Sequence, residues 1–127
     1  MPYYTAIVTL LAVVLYFFMA TRVAAARVRF KVKHPAITGD PGFERIFRAH
    51  VNTLEWMPTF LVPLWICAVY FSDRAAAVVG LAWIVGRILY FIGYGKAVEQ
   101  RVPGFLIQAT ACLLLLIGAI AGIVMRS

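Results

Sequence analysis

Glu44-Arg45-Ile46-Phe47-Arg48-Ala49-His50-Val51-Asn52-Thr53-Leu54-Glu55-Trp56-Met57-Pro58 places two acids, two arginines, a histidine and an asparagine at the head of a segment that then turns wholly apolar. Charged groups on a membrane helix are costly, need partners and often mark a functional site. Arg48, Asn52 and Glu55 are spaced by four and three, so a helix shows all three on one face. An arginine, an amide and a carboxylate on one face make a receptor for a zwitterion.

The rest of the chain supports a membrane reading. Of its 127 residues 64% are hydrophobic and 13% charged, with a mean hydropathy of +0.91; a soluble domain carries about 25% charged residues. Apolar runs cover Tyr3–Ala20, Trp56–Phe71, Ala75–Gly95 and Gly104–Met125. A spanning helix takes about 20 such residues; the second run reaches that length only by including the polar turn around Asn52. The expectation is an all-α, integral membrane four-helix bundle, with residues 1–127 forming one four-span domain. No basic residue precedes the first run, and a basic cluster follows it, so that run reads as a retained helix, not a signal peptide.

Charge placement gives an orientation. Arg22, Arg27, Arg29, Lys31 and Lys33 lie between spans one and two, and Lys96 and Arg101 between spans three and four. The other side holds only Arg74 and Arg126. The positive-inside rule puts both long loops in the cytoplasm and both termini on the opposite side. The net charge of +7 is then topology plus attraction to anionic headgroups and calls for no nucleic acid. Cys67 and Cys112 sit inside apolar spans as small hydrophobes; two such cysteines make neither a metal site nor a disulfide framework.

Pro35, Gly39, Pro41 and Gly42 break any helix, so span one ends near Ala26 and Lys31–Phe43 is read as loop, with Asp40 available to cap span two. The turn Ser72–Arg74 forces spans two and three into a hairpin. Pro58 and Pro63 shape span two and open a gap beside it. Gly118 and Gly122 offer a small surface for helix packing. Counting about 20 residues back from Phe71 puts Asn52 and Glu55 just inside the cytoplasmic boundary, at the depth of Tyr90 and Tyr94 on span three.

Arg87, Tyr90, Tyr94 and Arg101 step by three, four and seven, and share a face if the third helix runs on past its apolar run. Alone, that set also fits an aromatic belt with a snorkelling arginine, and Arg87 could simply pair with Glu55. Together, Glu-Arg-x-x-Arg-Ala-x-x-Asn-x-x-Glu at Glu44–Glu55, Arg-x-x-Tyr-x-x-x-Tyr at Arg87–Tyr94 and then Arg101 resemble the MAPEG family, the membrane-associated proteins of eicosanoid and glutathione metabolism.

The resemblance implies a homotrimer with glutathione, as co-substrate, in clefts between neighbours near the cytoplasmic face. It implies glutathione contacts at Arg27, Arg48, Asn52, Glu55, Tyr90 and Tyr94, and a catalytic role for Arg101 in holding the thiol as thiolate. Glutathione offers carboxylates, an ammonium and a thiol; arginines suit the first, Glu55 the second, and a cation near the thiol lowers its pKa. Trp56 stands where leukotriene-conjugating members have a tyrosine, and His50 where they have a glutamine; both are counted among the binding positions. Val28 replaces a second arginine of those members, which argues against leukotriene formation. The expected activity is conjugation of glutathione to lipophilic electrophiles entering from the bilayer, with reduction of lipid hydroperoxides as a second activity and no metal. The alternatives are a non-catalytic, lipid-binding accessory member of the family, and a small four-span exporter. The exporter is disfavoured because Tyr3–Ala20 holds no acid for proton coupling.

Overall fold

Four long helices follow one another in the computed structural model, which describes all of residues 1–127: α1 Tyr3–Phe30, α2 Pro41–Tyr70, α3 Asp73–Lys96 and α4 Val102–Arg126. All four are long and apolar enough to cross a membrane. Helices α2 and α3 form a central pair; α1 packs against both, and α4 also packs against both.

Helix ends follow local chemistry, with three departures from the sequence reading. First, α1 runs on to Phe30 because nothing in Arg27–Phe30 breaks a helix. It stops where Lys31 turns left-handed (φ 57°) and its N–H caps Arg27 O. Second, the loop is shorter than Lys31–Phe43. Pro41 opens α2 at a position where its missing N–H costs nothing, and Asp40 Oδ1 accepts from Gly42 N at 2.8 Å, the expected cap. Third, the hairpin between α2 and α3 is tighter than Ser72–Arg74. Ser72 is already the cap, its Oγ accepting from Ala75 N at 3.2 Å, so Asp73 and Arg74 belong to α3.

Apolar burial does little to drive helix association in lipid; close packing and polar pins do. Phe60 and Trp83 stack at 3.9 Å across α2 and α3. Gly118 and Gly122 bring α4 against Cys67 and the Tyr70–Phe71 backbone of α2, so this small-residue pair serves packing inside the chain. Trp65 Nε1 donates to Thr9 Oγ1 at 2.9 Å, tying α2 to α1, and Arg126 Nε donates to Tyr70 O at 2.9 Å, tying α4 to α2. Pro58 and Pro63 lie in α2 without ending it, and line a groove of about 560 Å³ against Ala109, Cys112 and Leu116 of α4.

Asp73 performs a second task. Its carboxylate accepts from Tyr4 N at 3.0 Å and Thr5 N at 2.9 Å, capping the start of α1 from another helix. Those N–H groups have no partner within their own helix. Asp73→Ala is expected to cost about 1 kcal/mol, the usual value of a helix cap, and to fray α1 first. Hydrogen exchange should show faster exchange at Tyr4 and Thr5 with the basic ends of the helices unchanged; uniform protection across α1 would count against the cap.

Candidate functional site

At the basic end of the bundle, α2, α3 and the start of α4 converge on a polar and aromatic cluster. Arg48 and Glu55 are exposed and Asn52 half-buried on one face of α2. Trp56, one step round the helix, meets Phe105 of α4 edge-on at 5.7 Å. Phe105 lies 6.3 Å from the Tyr90 ring, and Tyr90 stands edge-on to Tyr94 at 5.5 Å. Glu55, Arg87 and Arg101 all lie within electrostatic reach of Tyr90. Seven of the expected site residues are therefore neighbours: Arg48, Asn52, Glu55, Trp56, Tyr90, Tyr94 and Arg101.

Arg101 reaches this cluster by a different route from the one its spacing suggests. Helix α3 does not run on: it ends at Lys96, Ala97 is fully extended (φ −163°, ψ 152°), and Val98–Arg101 form a single 3-10 turn. That turn folds back over α3. Arg101 Nη1 donates to Val98 O at 2.6 Å, and its guanidinium lies 5.6 Å from the Tyr94 ring centre. The corner closes only because two glycines lack side chains. A Cβ on Gly93 would strike the Gln100 carbonyl, and one on Gly104 would strike the Tyr90 backbone.

Arg87 does not pair with Glu55. Glu55 points outward, whereas Arg87 is fully buried between the helices. Its Nη2 donates to Asn52 Oδ1 at 3.0 Å and to Thr53 Oγ1 at 2.7 Å, and its guanidinium lies 4.2 Å from the Tyr90 ring centre. Arg87 thus braces two cluster residues from behind: it holds the Asn52 amide oxygen and backs the Tyr90 ring. Gln108 of α4, also fully buried, is a further polar residue at this depth, and its amide has no partner.

Two expected residues lie elsewhere. At about 100° per residue, His50 sits roughly 140–160° round α2 from Arg48, Asn52 and Glu55. It stacks on Tyr16 of α1 at 4.5 Å. Arg27 lies on the same α1–α2 side, where Nη1 donates to Ala36 O at 2.7 Å and the guanidinium covers Phe43 at 5.0 Å. One chain therefore carries two separated half-sets, and they do not meet within it. Phe105, Thr53 and Gln108 were missed by sequence reasoning. Only Phe105 had a signal, its place one helical turn after Arg101.

Comparison with known proteins covers nearly the whole bundle. The MAPEG family profile matches residues 5–121. Human microsomal glutathione S-transferase 2 is 43% identical over 104 residues, covering 81% of this chain and 71% of that protein. Mouse microsomal glutathione S-transferase 2 is 42% identical over 121 residues, covering 95% and 82%. Bovine leukotriene C4 synthase is 41% identical over 116 residues, covering 91% and 77%. With a match of this extent over four membrane-length helices, the chain belongs to the MAPEG family.

Proposed function

We propose that this protein is a glutathione transferase of the membrane, working as a homotrimer whose clefts form between neighbouring chains, with residues 1–127 acting as one four-span unit. The observation that carries this reading is the split of the expected site. Arg48, Asn52, Glu55, Trp56, Tyr90, Tyr94 and Arg101 cluster on one side of the bundle, while Arg27 and His50 stand on another. A cyclic assembly places one side of each chain against a different side of its neighbour, which would join the two half-sets. Relatives named for glutathione transfer support the substrate assignment.

In this reading the exposed Arg48 and Glu55 hold the unreactive ends of glutathione, and Asn52, braced by Arg87, adds a hydrogen bond. Arg101, over the Tyr94 ring, faces the thiol and favours its ionised form. Tyr90 and Tyr94 supply hydroxyl donors near the sulfur. The groove between α2 and α4, beginning at Trp56, guides a lipophilic electrophile from the bilayer. Sulfur attacks its electrophilic carbon, the C–S bond forms, and the leaving group departs, or a proton adds where the acceptor is an alkene. Catalysis here is ionisation plus positioning. The basic loops would face the cytoplasm, which supplies glutathione, and reduction of lipid hydroperoxides would be a second use of the same thiolate.

The test is conjugation of glutathione to chlorodinitrobenzene by the protein in lipid vesicles, together with native mass spectrometry in mild detergent. Glutathione-dependent turnover from a trimer is expected. An active monomer or dimer would sink the shared cleft. A trimer that binds glutathione and never conjugates it would favour the non-catalytic, lipid-binding alternative. Within this scheme Arg48→Ala and Glu55→Gln are expected to raise KM for glutathione roughly tenfold, the value of one charged hydrogen bond, with kcat nearly unchanged. Both side chains are exposed in the single chain, so folding should survive. An unchanged KM in a folded variant would remove that residue from the site.

A further inference from the structure

Helix α1 carries a stripe that the proposed site does not use: Leu15, Phe18, Met19, Arg22, Ala25, Ala26 and Arg29 recur at helical spacing on the side facing α3. The lower half of the stripe and Ile88, Phe91 and Ile92 of α3 enclose an apolar slot of about 240 Å³. Its upper half opens into a cleft of about 390 Å³ at the basic end, where Arg22 and Arg29 stand over Ala25, Ala26, Ile46 and Gly95. The two spaces share Phe18, Phe91 and Ile92, so they adjoin end to end as one groove, here called the α1–α3 channel, apolar at its lower end and cationic at its upper.

Three observations single out this channel among the bilayer-facing grooves. Arg22 and Arg29 are seven residues apart, about 10 Å along the helix, which lets both guanidiniums converge on one group between them. Neither arginine meets a carboxylate there: no acid lines the cleft, and the Arg29 guanidinium lies over the Phe30 ring at 4.9 Å. Finally, the space above Gly95 is open. A Cβ there would meet only Ile46 Cγ1, at an ordinary 3.7 Å, whereas Gly86, Gly93 and Gly104 are each pressed against a neighbouring backbone.

We infer that the α1–α3 channel is a binding site for one anionic phospholipid, with an acyl chain along Phe18, Phe91 and Ile92 and the phosphate between Arg22 and Arg29. Charge complementarity selects the headgroup, and the apolar length of the slot selects a chain rather than a free ion. Arg101 lines neither space, so the lipid is held by other residues than the thiol. It is a fixed structural ligand and not the molecule to be conjugated.

The test is native mass spectrometry of the full-length protein released from nanodiscs holding equal phosphatidylglycerol and phosphatidylcholine. One phosphatidylglycerol per chain should persist, preferred roughly tenfold or more, as two basic residues near an anionic headgroup imply. Arg22→Gln with Arg29→Gln should abolish the preference, and Gly95→Leu should expel both lipids by filling the channel. Helical content and melting temperature establish that each variant folds; if Gly95→Leu does not, Ala25→Trp replaces it as the block. Equal retention of the two lipids by the unaltered protein would overturn the inference, as would a preference that survives the double substitution. Full occupancy in a folded channel-blocked variant would overturn it too. Displacement by an equal concentration of oleic acid would make the occupant a single-chain acid and overturn the phospholipid assignment.

Discussion

Arg101→Gln is expected to lower the conjugation rate at pH 7 roughly 25-fold while leaving glutathione bound. The size follows from ionisation alone. An ordinary cysteine-type thiol with a pKa near 8.5 is about 3% thiolate at pH 7. A cation that lowers that value by about two units supplies roughly 2.7 kcal/mol and makes thiolate the major form, at about three-quarters. The sign sets the pH profile. The stabilised thiolate is fully formed above the lowered pKa, so the unaltered enzyme should be flat from about pH 7 upward. The variant should climb about tenfold per unit and approach the unaltered rate near pH 9. The ultraviolet thiolate band of bound glutathione at neutral pH reports the same change without turnover. The alternative is an arginine that only anchors its turn, for which its bond to Val98 O would suffice. Equal thiolate absorbance and equal rate in the folded variant would establish that alternative.

Gly104→Ala is expected to damage both the fold and the rate. The added Cβ would sit 2.6 Å from Gly86 O and 2.7 Å from Tyr90 Cα. These are backbone atoms that cannot rotate away, so the α3–α4 crossing itself must widen. Overpacking of this kind costs about 1–3 kcal/mol. Arg101 ends its corner only three residues earlier, and a shift of about 1 Å at a reacting group can cost on the order of 100-fold in rate. Gly95→Ala is the matched control. Its Cβ has room, and replacing a helical glycine by alanine should be neutral or slightly stabilising. Parallel melting and conjugation measurements should separate the two variants widely; an unperturbed Gly104→Ala would show that the contact is not the constraint.

The parts of this structure that were legible in the sequence are those governed by local chemistry. Four apolar runs and a capping Asp40 were enough to place the four helices, though not all of their ends. The spacing of Arg48, Asn52 and Glu55 was enough to place one face. What escaped depends on partners that no spacing reveals. Spacing puts Arg87 on one face with Tyr90 and Tyr94, yet which acceptor it finds depends on the rotation of α2, which turns Asn52 and Thr53 toward it and leaves Glu55 exposed. The break at Ala97 carries no proline or glycine of its own. It is imposed by close backbone contacts at Gly93 and Gly104, between residues distant enough in sequence to look unrelated. Gln108 is hidden among apolar neighbours, where a single amide barely alters the pattern. His50 enters with Arg48 through the resemblance alone, and two residues on a helix is more than half a turn, so the two stand on different faces.

That separation of His50 and Arg27 from the Arg48 cluster has a genetic consequence. If each cleft draws one half-set from each of two neighbours, a chain crippled at Arg48 still offers a sound Arg27 side, and a chain crippled at Arg27 still offers a sound Arg48 side. Neither forms a cleft of full affinity with its own kind. Co-expressed in equal amounts and mixed at random around a closed ring, a given junction joins two sound sides when the right chain stands on each flank. That occurs with a chance of one half on either side, or about a quarter of all junctions. Assayed at glutathione well below KM, two weakened alleles should therefore recover together to at least about a quarter of the unaltered activity, whereas mixing the purified, preassembled proteins should restore nothing. Failure of the co-expressed pair to recover, with mixed rings verified by mass, would place both half-sets back in a single chain.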